Sequence, residues 1–199
     1  VFVLTFLTLD IYLESPGTGL IQESAFQVVS IATTTGFLTA NYSNWPLFIP
    51  ILLLLTAFIG ACAGSTGGGI KVVRTLVLAK QSAGEITKLI HPNAVISIKL
   101  GKKAVSSRVA ESVWGFFSIY VIVFIILFMF LLSQGNDFIT SFSAVGATLN
   151  NLGPGLGEVS NNYQSLSDYS KLGLCMAMLL GRLEIFTLLV LFTPAFWRK

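Results

Sequence analysis

The string Thr33-Thr34-Thr35-Gly36 closes a short polar-apolar stretch at residues 22–32. A second such stretch, 136–146, runs into Thr148, Leu149, Asn150, Asn151, Leu152, Gly153 and Pro154. Spanning a bilayer takes roughly 20 apolar residues, so both stretches are too short to cross and read as re-entrant half-helices. Each has an acidic residue near its start, Glu23 and Asp137, which suits a helix N-terminus. The opposite end of such a helix carries partial negative charge and aims carbonyls at a cation. Gly36 permits backbone angles that other residues avoid, so successive carbonyls can face one axis. A ring of such carbonyls replaces the hydration shell of an ion. One string of this kind alone would read as an ordinary turn after an interfacial helix. Two of them, each set between apolar helices, favour ion binding.

Residues 60–69 hold five glycines in ten positions. Each glycine costs a helix about 1 kcal/mol relative to alanine, so the helix that begins near Pro46 breaks here. At 1.5 Å per residue the break falls roughly 20–24 Å along, inside the membrane. A phosphate-binding loop needs Lys directly after the last glycine, but Ile70 follows Gly69. Two readings stand: close helix packing through small residues, or a flexible intramembrane loop that gates a pore. Arg182 stands about ten residues into an apolar stretch, 172–197. A guanidinium there costs at least about 2.5–3.5 kcal/mol on insertion scales, so it needs a partner or a water-filled cavity. Glu184 lies two residues away, nearly on the opposite helix face. Glu184 therefore pairs with another helix or subunit, and a structural salt bridge for Arg182 stays open.

The elements that must position these residues follow from composition. Of 199 residues, 54% are hydrophobic and 11% charged; soluble domains carry about 25% charged residues. Lipid is the expected solvent. Residues 109–133 and 172–197 are apolar enough to span, 46–63 is borderline, and 1–13 reads as the tail of a further helix. Eight of the twelve basic residues fall between Lys71 and Arg108. The positive-inside rule places that stretch and the C-terminus in the cytoplasm; a nucleic-acid surface is the lesser reading. Cys62 and Cys175 read as packing residues of apolar helices, with no disulfide or metal site. The single histidine, His91, reads as solvated. No cysteine–histidine cluster and no paired carboxylates support an enzyme. No cofactor is expected.

Five segments, SIATTTGF at 30–37, GSTGGGIKVVR at 64–74, HPNAV at 91–95, NLGPG at 151–155 and LGRLEIF at 180–186, resemble the TrkH/KtrB family of potassium transporters. The resemblance covers essentially the whole chain. It implies an all-α membrane protein of the helix–pore-loop–helix type, multi-pass in the bacterial inner membrane. Family members have four such repeats, and this sequence matches the last two. The expected divisions are 1–80 for the third repeat with its broken second helix, 81–108 for a basic cytoplasmic linker, and 109–199 for the fourth repeat. The N-terminal repeats are expected to lie outside this sequence.

The resemblance further implies a role for each motif. Thr34, Thr35 and Gly36 would supply filter carbonyls, with Thr33 just below. Asn151, Leu152 and Gly153 would do so in the fourth repeat, with Asn150 just below. Gly64, Ser65, Thr66, Gly67, Gly68 and Gly69 would form the gate, and Arg182 an electrostatic barrier beneath the filter. Potassium would be the transported ion. The implied partners are membrane lipid, a second copy of the protein and a TrkA-like nucleotide-binding cytoplasmic ring docking near the basic linker. The alternatives are an ion-coupled secondary transporter, with broken helices at the midplane, or a non-conducting membrane subunit.

Overall fold

The structure, a computed structural model, describes residue 5 and residues 18–199 apart from 63, 66, 95–97, 102, 184, 186–189, 191–193 and 198–199. The expected helix tail at 1–13 lies outside the described residues but for Thr5, and so do Thr66 and Glu184. The helices are α1 (Thr18–Ala32), α2 (Phe48–Ile59), α3 (Val72–Ile90), α4 (Ser107–Ser133), α5 (Phe138–Leu149), α6 (Asp168–Arg182) and the single turn α7 (Pro194–Trp197). A two-stranded hairpin, Lys99–Leu100 against Lys103–Ala104, lies between α3 and α4.

Burial follows helical spacing. On α2, Ile49, Leu53, Leu54 and Ala57 form one buried stripe. It packs on α1, which turns Val28 and Ile31 inward together with the polar Ser24, Gln27 and Ser30. Helix α5 is different: every residue from Ser143 to Leu149 is buried, because α2, α4 and α6 surround it. Asp137 caps it, its side chain accepting from the Ile139 amide at 3.1 Å. Ser167 caps α6, accepting from the Ser170 amide at 3.2 Å.

At 27 residues, α4 is the one described helix long and apolar enough to cross a membrane, and the rest of the chain leaves most of it uncovered. Its inner side carries Tyr120, Phe124 and Phe128. Phe124 lies 5.6 Å from the Phe58 ring and 5.3 Å from Phe142, joining α2, α4 and α5 through edge-to-face contacts.

The structure differs from the sequence expectations at several points. Residues 172–197 do not form one continuous helix: α6 ends at Arg182, and Leu183 caps it. The first half-helix begins four residues earlier than read, at Thr18, so Glu23 sits in its second turn and not at its N-terminus. The second half-helix runs on past Gly146 to Leu149, since full burial outweighs a single glycine. Cys62 is not in a helix; it is exposed in the glycine-rich break, and Cys175 is exposed on α6. Helix α3 runs unbroken through residues 80 and 81, so the basic stretch begins as helix.

The loop after α5 is held from within. The Ser143 hydroxyl, fully buried, accepts from the Leu156 amide at 2.8 Å and donates to the Leu156 carbonyl at 3.1 Å. Ser143→Ala therefore strands a buried amide, a loss of about 1–3 kcal/mol. The expected result is a melting temperature in detergent lower by several degrees. Ser118→Ala, which removes an exposed bond to the Trp114 carbonyl, is the control and should leave it unchanged.

Candidate ion-conduction site

Helices α1 and α5 end in the same way. After α1, the Thr34 amide donates to the Ile31 carbonyl at 3.0 Å and the Thr35 amide to the Ser30 carbonyl at 2.8 Å. After α5, the Asn151 amide donates to Thr148 at 3.0 Å and the Leu152 amide to Ala147 at 2.8 Å. Both are Schellman closures in identical register. The backbone also matches beyond the closure. Thr34 has φ 55° and Gly36 φ 82°; Asn151 has φ 52° and Gly153 φ 104°. In each turn the residues between and before these have negative φ. Such alternation turns successive N–H groups to one edge of the chain and the carbonyls to the other. Sequence reading anticipated positive φ at Gly36 but not at Thr34. A β-branched residue is a genuine outlier there.

The two turns abut. A methyl group at Gly36 would overlap the Leu152 carbonyl oxygen, so only a glycine fits at this approach. The Gly36 and Gly153 ends share one recess with Phe37, Leu38, Pro154 and Tyr163. On the other side lies an open cavity of about 600 Å³. Its wall gathers Thr33, Thr34, Thr35 and Asn151 from the turns, Ser65, Gly67 and Gly68 from the break, and Arg182 from the end of α6. The Leu152 side chain is packed away in the core, and the Asn150 side chain is fully buried.

The glycine-rich break fits under both turns at once. The Gly68 amide donates to the Thr34 hydroxyl at 3.2 Å, and a methyl at Gly68 would overlap the Asn150 carbonyl oxygen. Gly69 packs on the end of α2, where a methyl would come within 2.7 Å of the Ala57 carbonyl oxygen. Gly64, in contrast, stands clear: a methyl there would meet nothing within 4 Å beyond its chain neighbours. Arg182 is exposed on the cavity wall, and a smaller cavity of about 170 Å³ behind it also holds Lys71, Arg74 and Tyr120. The Arg74 guanidinium sits 4.2 Å from the centre of the Phe116 ring.

Three tyrosines that the sequence reading passed over hold the turns in place. Tyr42 donates to the Gly155 carbonyl at 2.8 Å, Tyr163 to the Gly153 carbonyl at 2.6 Å, and Tyr120 to the Asn150 Oδ1 at 2.7 Å. Asn150 in turn donates through Nδ2 to the Gly146 carbonyl at 2.8 Å. Outside the α-helices, burial raises both Tyr42 and Tyr163 above the usual phenol range, Tyr42 adding to the effect on Tyr163. Both therefore stay protonated donors. A tyrosine in the middle of an apolar helix needs a partner for its hydroxyl, and that signal was present for Tyr120.

Fold and site together define a helical membrane protein in which two short helices end in abutting glycine turns above a broken helix. The chain belongs to the TrkH family of cation transport proteins, whose model matches residues 12–199. It is 57% identical over 179 residues to the Trk system potassium uptake protein TrkH of Escherichia coli (strain K12), covering 90% of this chain and 37% of that protein. The same strain's Trk system potassium uptake protein TrkG is 44% identical, covering 88% of this chain and 36% of its own. The crystal structure of the potassium transporter TrkH from Vibrio parahaemolyticus superposes with a TM-score of 0.91 at 51% identity, over 99% of this chain and 42% of that one. The chain thus spans about two-fifths of the length of the relatives it matches.

The fit of Gly68 beneath Asn150 carries its own test. Gly68→Ala must push the break away from the carbonyl above it, an overpacking cost of about 1–3 kcal/mol. Gly64→Ala bears only the penalty of a positive φ. The melting temperature should fall further for Gly68→Ala, and equal losses would contradict this seating of the break.

Proposed function

We propose that the turns at 33–36 and 150–153 form half of a potassium-selective filter, and that the chain conducts potassium as part of a larger pore in the bacterial inner membrane. The observation that carries this reading is the pair of turns with one shared alternation of φ, abutting at Gly36 and Leu152. Carbonyls turned to one edge, at the negative ends of two helices, offer a cation oxygen ligands in place of water. Because the donors are backbone atoms, the different side chains of the two turns are compatible with one function. Family membership and the names of the relatives support potassium as the ion.

In this reading each glycine turn belongs to a helix–pore-loop–helix repeat, at 1–80 and 109–199, and two further repeats complete a four-sided filter. The break at residues 64–69 is the gate. It lies directly below the turns, in the path an ion takes on leaving the filter. Arg182, exposed on the wall of the same cavity, is a fixed positive charge that repels the passing cation and restrains flux. The basic stretch 81–108 faces the cytoplasm, where a nucleotide-binding regulatory ring would dock. A second copy of the protein completes the assembly.

Two substitutions test this in the full-length protein. Gly36→Ser places a side chain against the Leu152 carbonyl and in a positive-φ position, so discrimination of potassium over sodium should fall in competitive uptake. Retained selectivity in a folded Gly36→Ser protein would sink the filter assignment. Arg182→Ala should raise rubidium flux into liposomes severalfold. A well-folded Arg182→Ala protein with unchanged or reduced flux would falsify the barrier role.

A further inference from the structure

We infer that Thr34 and Asn151, the two left-handed residues of the glycine turns, are positioning residues that tie each turn to the point where the next inner helix breaks. The inference rests on the filter-and-gate reading and adds the link between its two parts. Thr34 is the starting observation. A β-branched residue at φ 55° sits where glycine or asparagine is at ease, and outliers of this kind persist where surrounding structure and function hold them. Its hydroxyl accepts the Gly68 amide at 3.2 Å, across 34 residues of sequence. Gly68 lies in the break between α2 and α3. A glycine at position 34 would relieve the backbone and lose this bond.

Asn151 occupies the same place in the second turn. Its Nδ2 is buried and turned toward α6, where a methyl on Gly181 would come within 2.8 Å of it. Gly181 is next to the last residue of α6, so this contact also falls where an inner helix stops. Two turns of the same conformation therefore turn the same backbone position toward the place where a following helix is interrupted. Thr34 makes a hydrogen bond to a loop there, whereas Asn151 Nδ2 is buried near a helix terminus with no hydrogen-bond partner among the described residues. The hydroxyl of Thr34 is the releasable member of the pair. With its amide bound, Gly68 stays seated beneath the Asn150 carbonyl; without it, the break is free to leave the cavity. A rearrangement of the filter turn and an opening of the break are then one event.

The test is amide hydrogen exchange in the full-length protein, with flux measured beside it. Thr34→Val keeps the branched shape and removes the acceptor. One net hydrogen bond changes local opening by about threefold to tenfold, so exchange of the peptide covering residues 60–71 should rise by that factor. Exchange of α5 should not change. Thr34→Ser restores the acceptor and should restore protection. The inference is overturned by unchanged exchange of the break in Thr34→Val, by Thr34→Ser behaving as Thr34→Val, or by faster exchange throughout the protein. The unaltered protein supplies a second reading that needs no variant to fold. Its Gly68 amide should be protected, and exchange at the rate of an unstructured amide would also overturn the tie. Faster exchange of the break in Thr34→Val with no change in rubidium flux would uphold the tie and refute the gate.

Discussion

The contact on which the rest depends is the seating of Gly36 against the carbonyl of Leu152. Two chain turns approach so closely there that no Cβ fits between them. Close approach of two backbones in a membrane protein brings polar groups together with little water to satisfy them, and each unmet group costs several kcal/mol. The Schellman closures answer this. They return the amides of Thr34, Thr35, Asn151 and Leu152 to the helices they leave. With their amides spent, the turns have carbonyls to offer. The tyrosine hydroxyls of residues 42 and 163 then take up carbonyls of the loop at 153–155, which holds the end of the second turn.

Packing enforces this arrangement from behind. Helix α5 is only 12 residues long, about 18 Å at 1.5 Å per residue, yet it is buried on all sides along its second half. Its small residues, Ala144, Gly146 and Ala147, let α2 and α4 come near, and the Phe58 ring fills the space over Gly146. Two of its polar residues face partners: Thr148 returns its hydroxyl to the Ala144 carbonyl at 2.7 Å, and Ser143 holds Leu156. A helix so surrounded cannot shift without disturbing three neighbours. Such rigidity suits a support for the second turn. The break at residues 60–71 is the opposite case. Among its described residues it has few internal bonds, three glycines at positive φ, and a hydrogen bond from Gly68 to Thr34 that ties it to the first turn.

Charge is distributed in keeping with this division. The described salt bridges, Lys88 with Glu85 and Lys171 with Asp168, are exposed pairs on helix surfaces, of the kind that contributes little. The cations that bear on the site are those on the cavity walls, Arg182 in front and Lys71 and Arg74 behind. In the proposed filter, helix termini and carbonyls would supply the negative potential that these cations oppose.

Composition pointed to a membrane protein, because 11% charged residues cannot cover a water-soluble surface, and the lengths of the apolar stretches made it helical. The motifs located both turns, the break and Arg182, since glycine clusters and a lone arginine stand out against apolar helices for reasons of backbone entropy and charge solvation. Local sequence misjudged where elements end. The stretch 172–197 is apolar throughout, and hydropathy has no term for the stop at Arg182. The start of α1 at Thr18 lies four residues ahead of the polar-apolar stretch that marked it. The positive φ of Thr34 contradicts its own preference and is held by contacts made far along the chain. The pairing of Gly36 with Leu152, of Gly68 with Asn150, and of Tyr120 with Asn150 joins residues 30 to over 100 positions apart. Residue type and spacing name the groups able to do the chemistry. Only the tertiary structure decides which of them meet, because contact across such separations depends on how the helices pack and not on any local preference.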